Sequence, residues 1–110
     1  MYALPYKDLS ANEILSATVK ILPNKVRGDL NEDDIKDLVA IMRTIETYNR
    51  DDSHNSYGGQ AVIFTITMMD GTEEIISAFN PFLIINGIGY RTDVCHKLSG
   101  LGATIAKTPF

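Results

Sequence analysis

The sequence predicts an α+β domain: an antiparallel β-meander sheet with two helices packed on one face, in the order β-α-β-β-β-β-β-α. Three observations support this prediction. Apolar and polar residues alternate in several short segments, Asp-Gly and Asn-Gly pairs separate the segments of the second half, and two further segments carry apolar residues at helical spacing. Since 110 residues is a usual length for one domain, we expect a single domain over 1–110, with 1–12 as an N-terminal arm.

Composition argues against several classes of molecule as partners of this chain. The formal net charge is −4 and the chain has no Lys/Arg cluster, which argues against nucleic acid because phosphate binding needs a basic surface. The apolar runs are too short to cross a bilayer, so we expect no membrane insertion. Cys95 is the only cysteine, which excludes an internal disulfide. The composition does not exclude a protein partner. We expect the chain to be a monomer or a weak homodimer.

The first half of the chain predicts one strand and one helix. Apolar residues at every second position indicate a half-buried strand that ends at Pro23-Asn24; they are Leu15, Ala17, Val19 and Ile21. Asn31 is the predicted helix N-cap and Asp34 completes a variant of the capping box. The apolar stripe of this helix is Ile35, Leu38, Val39, Met42 and Ile45. From about Thr44 to Asn49 we expect extended backbone, followed by a polar loop from Asn49 to Gln60.

The second half predicts two hairpins. Strands over 61–69 and 72–79 flank Asp70-Gly71, and strands over 82–85 and 88–91 flank Asn86-Gly87, with Asn80-Pro81 as the turn between the hairpins. Both glycine pairs suit a tight two-residue type I′ turn, which needs positive φ at its two central residues.

A two-residue turn at Asp70-Gly71 sets the register of the sheet: Val62 then faces Phe79, and Ile66 faces Ile75. The main core face is completed by Phe64, Met68, Phe82 and Ile84. The opposite face receives Ile63, Ile76, Ala78, Leu83, Ile85, Ile88 and Tyr90. That apolar patch is larger than a monomer usually exposes, so a cover is expected. The N-terminal arm is the first candidate cover, through Tyr2, Leu4, Tyr6 and Leu9; a second copy, a partner, or a strongly coiled sheet are the alternatives.

A last helix follows Thr92, its predicted N-cap. Its apolar stripe is Val94, Leu98, Leu101 and Ile105. Gly100 and Gly102 interrupt this helix, and each is expected to weaken it by about 1 kcal/mol.

The loop after Asn49 carries the candidate ligand- or partner-binding residues, Asp51, Asp52, His54, Asn55 and Tyr57. Asp51, Ser53 and Asn55 fall at the first three ligand positions of a calcium loop. Ser56 and Val62, however, stand where that loop needs a glycine and a bidentate glutamate, so the pattern fails. We expect no metal site and no cofactor.

Cys95 and His96 stand together at the start of the last helix, where a helix N-terminus can lower a thiol pKa. Neighbouring helical positions point about 100° apart, however, which places His96 badly as a base for Cys95. A packed thiol is the favoured interpretation. We predict no catalytic residue and no enzyme activity.

The stretch GQAVIFTITMMDGTEEIISAFNPFLIINGIGYRTD, followed by a cysteine-bearing helix, resembles an uncharacterised small domain of Gram-positive gut bacteria. The shared residues are Gly59, Asp70, Gly71, Asn80, Pro81, Asn86, Gly87 and Tyr90. The resemblance implies an extracytoplasmic or membrane-tethered protein and no particular activity. We therefore expect a non-enzymatic protein-binding or regulatory domain acting outside the membrane. The alternatives are an inhibitor-like or small-ligand-binding module using loop 49–60, and a small enzyme using Cys95.

Overall fold

The computed structural model describes residue 6 and residues 9–22, 26–45, 49–51, 61–79, 82–92 and 95–106. The strands in chain order are β1 (Ile14–Leu22), β2 (Val26–Asp29), β3 (Asn49–Arg50), β4 (Ala61–Met68), β5 (Glu73–Phe79), β6 (Phe82–Ile85) and β7 (Ile88–Arg91). The helices are α1 (Glu32–Arg43) and α2 (Cys95–Ala106), and a short 3₁₀ helix, Ala11–Glu13, precedes β1.

The described strands form one antiparallel sheet in the order β2-β1-β4-β5-β6-β7-β3. Helix α2 packs across β1, β2, β4 and β5, and α1 packs against α2 and the 3₁₀ helix. This architecture confirms the predicted α+β class and element order. Strand β2 is an additional strand: its four residues, Val-Arg-Gly-Asp, carry two charges and a glycine and so give no strand pattern of their own. Strand β3 lies at the start of the predicted polar loop 49–60, and Thr44 is the helical C-cap of α1 rather than extended, so both predicted boundaries are wrong at these residues.

Strand β1 differs from the predicted alternation at its first residues. Ile14 pairs with Met68 and Ser16 pairs with Thr67, so Leu15 is an extra residue in a β-bulge. Ile14 is buried, whereas Leu15 is 61% exposed, so the prediction that Leu15 points into the core is wrong. Ala17, Val19 and Ile21 do face the core.

Helix α1 begins as predicted. The Asn31 side chain accepts a hydrogen bond from the Asp34 N–H (2.8 Å), and the Asp34 carboxylate accepts one from the Asn31 N–H (3.0 Å). This reciprocal capping box satisfies donors that the first helical turn leaves free. Leu38, Val39 and Met42 are buried, which confirms the predicted stripe.

The hairpin of β4 and β5 has a three-residue loop rather than the predicted two-residue turn. The Met68 N–H donates to the Thr72 carbonyl (2.8 Å), and the Gly71 N–H donates to the Met68 carbonyl (3.0 Å). Only Gly71, at φ 91°, has a positive φ in this loop. Such a loop closes the hairpin with one residue more than a type I′ turn, and the register shifts by one.

This shift reverses the predicted faces of β5 and β6. Val62 faces Ala78, not Phe79, and Ile66 faces Glu74, not Ile75. The core therefore contains four residues that were assigned to the opposite face: Ile76, Ala78, Leu83 and Ile85. Ile75 is 43% exposed. Because side chains alternate along a strand, one residue of slip exchanges the two faces completely.

The second hairpin has the predicted tight turn. Ile85 pairs with Ile88 across Asn86 and Gly87, whose φ values of 50° and 89° are both positive. Asn86 also extends the pairing to β5: its N–H donates to the Ile75 carbonyl and its side-chain oxygen accepts from the Ile75 N–H, both at 2.8 Å.

Helix α2 approaches the sheet through Gly102. A Cβ at this position would overlap Val62 Cγ1 and lie 3.2 Å from Val19 Cγ2. The buried residues of α2 are Cys95, Leu98, Gly102 and Ala106, whereas Leu101 and Ile105 of the predicted stripe are only half-buried. Residues 93 and 94, between Thr92 and the start of α2, lie outside the described residues. The prediction that Thr92 is the N-cap, and that Val94 belongs to the stripe, therefore stays a prediction.

The N-terminal arm covers the sheet on the face opposite to the predicted one. Tyr6 and Leu9 are buried in the same core as α1 and α2, next to Ile66, Met68 and Ile76. The prediction that the arm packs on the sheet is confirmed for these two residues, and the choice of face is wrong because it followed from the wrong register. Tyr2 and Leu4 lie outside the described residues.

Candidate functional site

The structure describes only one of the five residues that are predicted to bind a ligand or partner in loop 49–60. Asp51 follows β3, where its N–H donates to the Gly89 carbonyl (2.9 Å) and its carboxylate lies 3.9 Å from Arg91 Nη1. The Arg91 guanidinium lies 5.9 Å from the Phe82 ring centroid. Asp52, His54, Asn55 and Tyr57 lie outside the described residues, so their role stays a prediction.

Cys95 is 2% exposed, which confirms the predicted packed thiol. Its sulfur lies 3.8 Å from the Thr92 hydroxyl oxygen, and the neighbouring His96 is exposed to solvent. A thiol shielded in this way is poorly placed to attack a substrate.

Glu74 is the buried acid of the core, at 3% exposure. Its Oε1 accepts a 2.8 Å hydrogen bond from the hydroxyl of Tyr6, which is itself 1% exposed. The cavity beside this pair has a volume of about 10 Å³, enough for about one water molecule. A substrate could not reach the carboxylate without displacing the arm, so the pair fastens the arm rather than forming an open site.

An apolar groove of about 420 Å³ opens on the surface of the described part of the chain. The 3₁₀ helix, the start of β1, helix α1 and the β4–β5 loop meet around it. Its lining residues are Ala11, Asn12, Ile14, Leu15, Glu32, Ile35, Lys36 and Met69. Five of these eight side chains are apolar, so the groove suits apolar groups. We call this surface the Leu15–Met69 groove.

Two backbone irregularities place the apolar side chains that border this groove. The bulge in β1 turns Leu15 out of the core, and the three-residue loop carries Met69, which is 63% exposed. Leu15 and Met69 are two of the four large apolar residues that are exposed in the described part of the chain. Bulges commonly re-aim a side chain in this manner.

The 3₁₀ helix forms one wall of the groove and is held at both ends. The Ser10 N–H donates to the Glu13 carboxylate (2.9 Å), which closes a capping box. The Met69 N–H donates to the Glu13 carbonyl (2.8 Å), which joins the wall to the β4–β5 loop. The groove is therefore pre-formed rather than assembled from loose segments.

Charged side chains line the groove or follow its lining residues in the chain. Glu32 lines the groove, Asp33 follows it in α1, and Asp70 follows Met69; all three are exposed, and Lys36 is the cation of the lining. The Thr72 hydroxyl and the Thr72 N–H (3.0 Å) both donate to Asp70 Oδ1, and these bonds lower the pKa of that carboxyl below its usual 3.8. Asp70 is therefore ionised at neutral pH.

A second depression of about 390 Å³ lies at the β2 edge of the sheet, lined by Thr18, Arg27, Gly28 and Asp29. Its lining is polar and lacks the large apolar side chains that border the Leu15–Met69 groove. The Leu15–Met69 groove is the better candidate.

The described residues contain no group of three His, Cys, Asp or Glu side chains placed to hold a metal ion. In the same part of the chain, no helix combines the length and the apolar character that a membrane span requires.

Comparison with other proteins gives no further guidance. No family model, curated protein or solved structure matches this chain. Any functional proposal for it therefore rests on its own residues and geometry.

Sequence reasoning missed the groove for a specific reason. The alternation of β1 placed Leu15 inside, and the assumed two-residue turn placed Met69 in a strand. The one available signal was the apolar Met69 directly before Asp70-Gly71, since a longer loop would leave that side chain in solvent.

Proposed function

We propose that this chain is a non-enzymatic protein-binding or regulatory domain acting outside the membrane, and that the Leu15–Met69 groove is its contact surface. The observation that carries the proposal is the exposure of Leu15 (61%) and Met69 (63%) along one pre-formed apolar groove. Exposed apolar side chains beside a concave surface favour an interaction site at that surface.

The energetics favour a partner side chain in this groove. Each buried methylene contributes about 0.8 kcal/mol, and a concave surface covers an inserted side chain from several directions. Met69 adds adaptability, because its unbranched thioether side chain adjusts to different partner shapes. The rigid capping box and the Glu13–Met69 bond reduce the ordering that binding would otherwise require.

A non-catalytic role agrees with the chemistry of the lining. Its polar side chains are Asn12, Glu32 and Lys36, none of which is a paired nucleophile and base. The Cys95 thiol and the Glu74 carboxylate are buried. The location outside the membrane is supported by the resemblance to a Gram-positive extracytoplasmic domain.

The test is a selection from a phage-displayed library of random peptides, carried out on three purified proteins: wild type, the groove variant Leu15→Thr/Met69→Ser, and the control variant Ile75→Thr. Ile75 is also exposed but lies on the outer face of the sheet, away from the groove. We expect peptides that bind wild type and Ile75→Thr and bind the groove variant at least about tenfold more weakly, a difference of about 1.4 kcal/mol.

Two results of this selection would contradict the proposal. If the selection enriches no peptide, or if the enriched peptides bind the groove variant as well as wild type, the groove is not the contact surface. Circular dichroism and urea unfolding of both variants would show that the fold is retained.

A further inference from the structure

We infer that the Leu15–Met69 groove receives the apolar face of a cationic amphipathic segment of a partner protein. This inference rests on the proposed function and adds the chemistry of the partner: apolar side chains for the groove, and Lys or Arg side chains for its rim.

The apolar part of the partner follows from the shape of the groove. A volume of about 420 Å³ is within the usual range of ligand pockets, and the exposed Leu15 and Met69 border it together with the half-buried Ile35. Helix α1 and the 3₁₀ helix both contribute lining residues, so two elements of regular structure bound the groove. Grooves of this kind bind one apolar face of a segment whose other face stays in solvent.

The cationic part follows from the rim. Glu32 lines the groove, and the exposed Asp33 and Asp70 follow the lining residues Glu32 and Met69 in the chain. These three carboxylates exceed the one cation of the lining, Lys36. The hydrogen bonds from Thr72 keep Asp70 ionised well below neutral pH. Opposite charges across an interface raise the association rate and reject partners of the wrong sign.

The same charges disfavour the other occupants. A second copy of this chain would bring a net charge of −4 to an acidic rim, and an anionic lipid surface or a nucleic acid would be repelled in the same way. A basic segment of another protein is the occupant that satisfies both the apolar lining and the acidic rim.

The experiment uses two synthetic helical peptides of about 14 residues that share the same leucine positions. One carries lysine at every polar position and the other carries glutamate. Binding is followed by the methyl resonances of ¹³C-methionine-labelled protein, in which Met69 reports on the groove and Met42, which is fully buried, serves as an internal control. The proteins are wild type, the groove variant Leu15→Thr/Met69→Ser, and the rim variant Glu32→Gln/Asp70→Asn. Because the groove variant lacks the Met69 signal, its binding is measured by isothermal titration calorimetry, with wild type measured in the same way for comparison.

We expect the lysine peptide to shift the Met69 resonance of wild type saturably, with an affinity at least about tenfold above that of the glutamate peptide at low salt. The affinity should fall several-fold in the rim variant. It should fall again when the ionic strength rises from about 0.02 M to about 0.3 M, because exposed charges are then screened. In the groove variant, binding of the lysine peptide should be lost.

Three results would overturn the inference. Equal affinity of both peptides with a shift at Met69 would mean that the rim does not select charge, while the proposed function would stand. Undiminished binding of the lysine peptide to the groove variant would show attraction to the acidic surface alone. If neither peptide shifts Met69, the cationic segment is excluded, and the library selection decides separately whether the groove binds peptides at all.

Discussion

The Tyr6 hydroxyl donates a 2.8 Å hydrogen bond to Glu74 Oε1 and so joins two residues that are 68 positions apart in the chain. Both are almost fully buried. A buried carboxylate is costly unless hydrogen bonds replace its hydration, so this bond reduces the cost of Glu74 and fastens the arm to β5. The Leu9 N–H donates to the Tyr6 carbonyl (3.3 Å), and the 3₁₀ helix that forms one wall of the groove begins at Ala11, so the same anchor supports that wall.

Replacing Tyr6 with phenylalanine should lower the free energy of unfolding by about 1.5–3 kcal/mol, because the buried Glu74 carboxylate loses a donor. Urea unfolding measures this loss. In a Glu74→Leu background the same Tyr6→Phe change should cost clearly less, since the acceptor of the hydrogen bond is gone. Equal costs in the two backgrounds would show that the hydrogen bond does not carry the effect.

The two glycines inside α2 should respond in opposite ways to alanine. Gly102→Ala should destabilise the fold, because the new Cβ would overlap Val62 Cγ1 and force α2 away from the sheet. At Gly100 an added Cβ would meet no neighbouring atom within 4 Å, so Gly100→Ala should be neutral or should stabilise by about 0.4–1 kcal/mol. Thermal unfolding of the pair provides a matched comparison within one helix. Similar shifts in both variants would contradict the close approach at Gly102.

Gly71 and Gly87 adopt φ values of 91° and 89°, which side chains rarely tolerate. Valine at either position should cost about 1–2 kcal/mol, because a β-branched side chain resists the left-handed region. Asparagine, which enters this region more easily, should cost less and serves as the control. Wild-type stability of both valine variants in urea unfolding would contradict these turn conformations.

Cys95 should react slowly with a thiol reagent in native buffer, because its side chain is 2% exposed at the start of α2. Absorbance during treatment with a chromogenic disulfide reagent measures the rate. The same protein in concentrated urea is the control and should react fully within minutes. Rapid labelling of the folded protein at neutral pH would return Cys95 to consideration as a nucleophile.

The pKa of Asp70 is lowered from 3.8, first by the Thr72 hydroxyl and then by the Thr72 N–H. A folded-state pKa below the unfolded one stabilises the fold fully above the unfolded pKa, and this contribution is lost as the pH falls through the folded pKa. Its effect is therefore confined to acid, below about pH 4–5. A carboxyl titration by NMR should show the Asp70 pKa rise toward its ordinary value in Thr72→Val. An unchanged pKa would exclude the hydroxyl as the main cause.

Local signals in the sequence determined a large part of this fold. The capping box of Asn31 and Asp34 and the positive-φ turn at Asn86-Gly87 form between residues a few positions apart, so their chemistry is complete within the segment. The helix stripe of α1 likewise depends only on its own spacing. These features were predictable because no distant part of the chain had to be known.

Only the tertiary structure decided which faces of β5 and β6 were buried. Asp70-Gly71 suits both a two-residue and a three-residue loop, and the choice depends on whether Ile76 or Ile75 enters the core. The sequence predicts that Gly102 only weakens its helix, yet Gly102 is the point at which α2 approaches β4. The Leu15–Met69 groove depends on the β1 bulge and on the length of the β4–β5 loop. Three stretches that are distant in sequence meet around it: the 3₁₀ helix with the start of β1, the start of α1, and the β4–β5 loop. Leu15 and Met69 border it because the bulge and the loop place them there.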